Sequence, residues 1–91
     1  MKHDIEEYID NLQLGYDGEF KQNGEYIVTL PTSDDFSNVY NTIATNKELM
    51  IDDQSVSDKS KAKFIFFDAW YEIKLAANFD KDIFTLTVSE R

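Results

Sequence analysis

The sequence predicts an α+β fold: an antiparallel β-sheet of about five to six strands with two α-helices packed on one face, in the order α-β-β-α-β-β-β-β. Three observations carry this reading. Apolar residues recur with helical period over residues 4–14 and again after Pro31. Over 71–88 apolar and polar residues alternate, the period of a half-buried strand. Turn signals at Asn23-Gly24 and Asp80-Lys81 separate runs whose apolar residues then fall into register. An antiparallel sheet with helices segregated to one face satisfies that order of elements. The 91 residues, 42% of them hydrophobic, make one small acidic domain spanning 1–91.

In the first helix, Ile5, Tyr8, Ile9 and Leu12 form one apolar stripe. Asp4 serves as N-cap, Glu7 stands at the capping-box position, and Gly15 suits the helix stop. A hairpin follows in YDGEFKQNGEYIVTL. A two-residue loop would mix its faces. A three-residue loop, Gln22-Asn23-Gly24 with the glycine left-handed, sorts them: Phe20 faces Tyr26, Gly18 faces Val28 and Tyr16 faces Leu30. Thr32 or Ser33 starts the second helix, whose stripe is Phe36, Val39, Tyr40 and Ile43. Asp34 and Asp35 in its first turn complement the helix dipole. ELMID reads as a short strand and DDQSVSDKSK as an exposed loop. KFIFF reads as a central strand buried on both faces, joined through Asp68-Ala69 to the next element. That element, AWYEIKLAA, has high helix propensity, but its length and aromatic content favour strand. Tyr71, Ile73, Leu75, Ala77 and Phe79 then alternate, as do Phe84, Leu86 and Val88. A turn at Asp80-Lys81 aligns Ala77 with Phe84, Leu75 with Leu86 and Ile73 with Val88.

Acid is what the chain has in excess. The net charge is −9, and it is lopsided: residues 1–58 carry thirteen acids against Lys2, Lys21 and Lys47, whereas residues 59–91 carry five acids and six bases. Such a field repels nucleic acid and anionic lipid and attracts basic protein surfaces. With no cysteine, the chain has neither disulfides nor thiolate metal sites. MKHDIEEY lacks the basic and apolar regions of a signal peptide, and no apolar run nears the ~20 residues of a membrane span. The expectation is a cytoplasmic protein of a bacterial or phage-infected cell, without cofactor.

No motif names a reaction. Asp80 and Asp82 lack the glycine and glutamate of a calcium loop and read as turn residues. His3 is the sole histidine, no serine stands in a G-x-S-x-G elbow, and three isolated glycines make no phosphate loop. Asp52 or Asp53, followed about twenty residues later by Glu72-Ile73-Lys74, resembles the D…(D/E)xK pattern of restriction-type metal nucleases. The resemblance implies carboxylates on Mg²⁺ and an assisting lysine. The element order departs from that family, and an acidic surface would repel its substrate.

What remains is surface. Glu6 and Asp10 stand ~6 Å apart along a helix, and Asp17 and Glu19 ~6.7 Å apart along a strand. With Asp34, Asp35, Asp52 and Asp53 they present rows of carboxylates at phosphate-like intervals, and only Lys21 interrupts the nine acids from Asp4 to Asp35. In size, acidity and lack of motifs the chain resembles small phage-encoded inhibitors, among them anti-CRISPR, anti-restriction and uracil-DNA glycosylase inhibitors, and is similar to immunity proteins of nuclease toxins. The expectation is therefore a non-enzymatic, DNA-mimicking inhibitor. Its partner would be a basic nucleic-acid-handling protein, a nuclease or Cas-type effector, with no direct contact to nucleic acid or membrane. In a Cas9-type target the carboxylates would meet the arginines that read the PAM. The alternatives are an adaptor binding through an aromatic sheet face around Phe64–Tyr71, and the metal-dependent nuclease.

Overall fold

The computed structural model describes residues 5–12, 14–16, 18–52 and 55–90, without the side chains of Ile5, Glu6 and Ile9. In chain order the elements are α1 (Ile5–Leu12), β1 (Glu19–Phe20), β2 (Tyr26–Leu30), α2 (Ser33–Ala44), β3 (Met50–Ile51), β4 (Val56–Ser57), β5 (Lys61–Phe67), β6 (Tyr71–Asn78) and β7 (Ile83–Glu90). The strands form one antiparallel sheet in the order β1-β2-β7-β6-β5-β3, with β4 also paired to β5. The α+β class is as the sequence predicts, with more strands.

The β6–β7 hairpin has the predicted register: Ile73 opposes Val88, Leu75 opposes Leu86 and Ala77 opposes Phe84. All six are buried, and together with Val28 and Leu30 of β2 and Ala62 and Phe66 of β5 they make one continuous apolar face. Phe36, Val39 and Ile43 of α2 close over it, Tyr40 half-buried beside them. Thr32 is the N-cap, its Oγ1 accepting the Asp35 N–H at 3.2 Å. Helix α1 packs at the Tyr71 end, where the Tyr8 ring lies 4.4 Å from that of Tyr71. Leu12 is buried there; Asp4 lies outside the described residues.

The first hairpin closes through the expected three-residue loop. Phe20 opposes Tyr26, the Lys21 N–H donates to the Glu25 carbonyl, and Gly24 has φ +88°. Its outer strand is shorter than predicted, however, because β1 begins at Glu19. Gly18 sits so close to β2 that an added Cβ would lie 2.4 Å from the Ile27 carbonyl oxygen. Its N–H donates to the Tyr26 hydroxyl at 2.7 Å rather than to a strand carbonyl. Before it, Tyr16 reaches α2 instead of continuing the ladder.

Two further expectations are corrected. The segment 52–61 is not a plain loop, since Val56 and Ser57 pair with Lys63 and Ala62. Met50 and Ile51 oppose Phe67 and Phe66, so the chain uses four residues, 52–55, where β5 uses two. β3 and β4 thus pair with successive parts of the same edge of β5. Between them the Asp52 N–H donates to the Ile65 carbonyl and the Ile65 N–H to Ser55 Oγ. Polar composition hid β4, because an edge position needs little apolar surface. Phe79, read as the last alternating residue of β6, instead opens the turn 79–82 and is partly exposed against Phe36 and Phe84. β6 itself is strand throughout, entered by a tight turn in which Asp68 Oδ1 accepts the N–H groups of Trp70 and Tyr71.

Leu86→Ala should destabilise the domain by about 2–5 kcal/mol, because it opens a cavity under α2. Thr87→Ala, on the opposite face of the same strand, should cost much less. Urea denaturation of the two variants measures the difference, and equal small effects would contradict the register.

Candidate functional site

The fold puts acids on both helices and charges of both signs on the open sheet face. Helices α1 and α2 together hold five acids, Glu6, Glu7, Asp10, Asp34 and Asp35, and no basic residue. On the other side, strand alternation assigns Lys61, Lys63 and Lys74 to the face away from the helices, with Glu72 among them. Lys74 Nζ lies 3.9 Å from Glu72 Oε2.

The helices forgo a stabilisation their length would allow. A basic residue in the last turn of a helix contributes ~0.3–1 kcal/mol against the dipole, and an i,i+4 Glu–Lys pair ~0.2–0.5 kcal/mol. Neither helix has a basic residue in its last turn.

The predicted site residues that the structure describes do not form a single row. Asp10 and Asp34 are exposed on the helical layer. Glu6 belongs to α1, with its side chain outside the description, and Asp17 and Asp53 lie outside the described residues. Glu19 is exposed on β1 with Lys21 Nζ 3.8 Å away. Asp52 follows β3 at the far end of the strand order, five strand spacings or about 24 Å from β1.

Asp35 is a special case. The Tyr16 hydroxyl donates to its Oδ1, and the Thr32 hydroxyl to its Oδ2 at 2.7 Å. The Tyr16 hydrogen bond, followed by those from Thr32, holds this carboxyl below the usual aspartate range. The same contact raises the Tyr16 phenol above its ordinary value. Asp35 therefore ties the 14–16 segment to α2 as well as carrying charge.

The nuclease-like residues lie on neighbouring strands, with β5 between β3 and β6. Glu72 and Lys74 share the open sheet face, and Lys74 stands opposite Ile65, whose carbonyl holds the Asp52 N–H. Among the described residues no three acidic, histidine or cysteine side chains converge as a metal site would require.

A recess that sequence reading missed lies between three elements. Tyr8, Asn11 and Leu12 of α1, Asn46, Glu48 and Leu49 after α2, and Asp68 and Trp70 of the β5–β6 turn enclose about 220 Å³. Its only sequence signal was Trp70 beside Asp68, which gave no hint of the distant Glu48.

Comparison with protein families, curated proteins and solved structures finds no match for this chain. Its class is therefore structural: a small α+β domain with an antiparallel seven-stranded sheet and an acidic helical layer.

Tyr16→Phe should raise the Asp35 pKa toward the ordinary ~3.9, read by NMR titration of its carboxyl carbon. The sign follows from linkage: a carboxyl depressed in the folded state contributes stability above its unfolded pKa and loses it as pH falls through the folded one. The variant should thus lose stability at neutral pH relative to the parent, and the gap should close in strong acid.

Proposed function

We propose that the protein is a non-enzymatic acidic inhibitor that binds a basic, nucleic-acid-handling protein in competition with nucleic acid. The observation that carries the reading is the pair of helices α1 and α2, which hold five acidic residues and no basic one. Lysines and arginines placed to meet phosphate meet carboxylate by the same charge-assisted hydrogen bonds.

Magnitudes limit how far the mimicry extends. The molecule is 41 Å long, a length over which duplex DNA carries about 24 phosphates. The chain has 18 acids and a net charge of −9. It matches a segment of backbone and would engage part of a nucleic-acid groove. Salt dependence follows, because exposed charges act over ~8 Å at physiological ionic strength and ~3 Å at 1 M.

The aromatic-adaptor reading has less support. Phe66 and Tyr71 are buried, and Phe64 packs 4.7 Å from the Tyr40 ring. Of that stretch Trp70 alone is a well-exposed ring among the described residues.

Neutralising Asp10→Asn with Asp34→Asn should weaken binding to a captured partner about 2- to 30-fold, at ~0.2–1 kcal/mol per exposed pair. Thr29→Lys with Ser89→Lys, which changes net charge equally on the open sheet face, should have little effect. The partner should be eluted by salt and should release DNA as the protein is added. Binding indifferent to salt and to both acids would end the mimicry reading.

Incubation of the protein with DNA or RNA in Mg²⁺ or Mn²⁺ should leave both intact. Cleavage abolished by Glu72→Gln would instead establish the nuclease.

A further inference from the structure

We propose that the recess between α1, the Asn46 turn and the β5–β6 turn is a receptor for one arginine side chain presented by a protein partner. For its partner's identity this rests on the inhibitor reading; its ligand chemistry rests on the recess alone.

Size comes first. At about 220 Å³ the recess falls below the ~300–1,000 Å³ of pockets that take drug-sized ligands. It has room for a side chain and not for a cofactor. It is also framed on each side. The Tyr8 hydroxyl donates to Asp68 Oδ2 at 2.8 Å, which pins α1 to the turn. Asp68 Oδ1 holds the Trp70 and Tyr71 N–H groups at 2.8 Å. Across the opening, Asn46 Oδ1 accepts the Glu48 N–H at 2.9 Å. A site whose walls are already fixed loses little freedom on binding.

The lining then selects the ligand. Two carboxylates, Glu48 and Asp68, border the recess and no lysine or arginine does so among the described residues. Burial first, then the Asp68 hydrogen bond, then the charges of Asp68 and Glu48 push the Tyr8 phenol well above its ordinary pKa. That phenol therefore stays a neutral donor. Trp70, the only tryptophan in the chain, remains 47% exposed at the rim. Indole is the strongest aromatic partner for a cation. A guanidinium can stack on that ring and direct N–H groups to the Glu48 carboxylate at once, whereas an ammonium offers a point charge without a plane. The charge of Asp68, whose oxygens already accept from Tyr8, Trp70 and Tyr71, adds attraction. Arginine fits all three features of the lining.

The test titrates the intact protein with N-acetyl-arginine methylamide, followed by Trp70 fluorescence and by backbone amide shifts. We expect saturable binding on the order of 1–10 mM, as one side chain buries little surface, with shifts centred on 46–49 and 68–70. The neutral citrulline analogue should bind at least about tenfold more weakly, and the lysine analogue more weakly than arginine. Glu48→Gln, an exposed position, should weaken binding several-fold, and Trp70→Leu should abolish it while circular dichroism stays unchanged. Equal binding of citrulline, equal or tighter binding of lysine, or shifts scattered over the helical acids would overturn the assignment. Partner capture tells the two proposals apart. If Trp70→Leu loses arginine but still captures a salt-sensitive partner at full affinity, the recess is not part of the interface and the inhibitor reading survives. If arginine binds as expected yet DNA is never displaced from any partner, the recess stands and the inhibitor reading falls.

Discussion

The pairing of Leu75 with Leu86 is the contact on which the rest of this molecule depends. Both side chains are fully buried at the middle of the longest hairpin. β2 docks on β7 and β5 on β6 in registers that continue the same apolar face, and α2 lies across it. Because strand alternation has period two, a slip of one residue would turn every inward side chain outward. It would also remove the platform that holds both helices, and with it the acidic layer.

From that centre the sheet weakens toward both edges. On one side β1 keeps two paired residues before Gly18 leaves the ladder. On the other, β3 and β4 pair with β5 over two residues each, and the Ser55 hydroxyl accepts the Ile65 N–H. Short edges discourage strand addition by other chains. The side chains then give the surface its chemistry: acids on the helices, the Trp70 recess, and the exposed Met50, Ile51 and Val56 at the sheet edge.

Charge in this protein is partly structural. Tyr8 from α1 holds Asp68, and Tyr16 holds Asp35, so two carboxylates bind segments together while adding to the field. Asp68 and Asp58 also cap turns by accepting backbone N–H groups. Asp10 and Asp34, in contrast, have exposed side chains on helices that carry no base at all. A count of acids treats these alike; their surroundings separate them into turn-formers and surface charge.

The sequence by itself determined the hairpins and helix α2, because their signals are local and periodic. Alternation set the register of Ile73, Leu75 and Ala77 against Val88, Leu86 and Phe84. Asn23-Gly24 set its loop, and Thr32 with the Phe36–Ile43 stripe set α2. It also determined the charge imbalance, which is composition. Only the tertiary structure decided which strands lie side by side, where the short edge strand Val56–Ser57 belongs, and which acids share a surface. Those depend on contacts between distant residues, and nothing local encodes them. Glu19 and Asp52 part to opposite ends of the strand order, whereas Tyr8, Glu48 and Asp68 meet around one recess. Burial of a shared apolar face brings them there, and that face exists only when the sheet has closed.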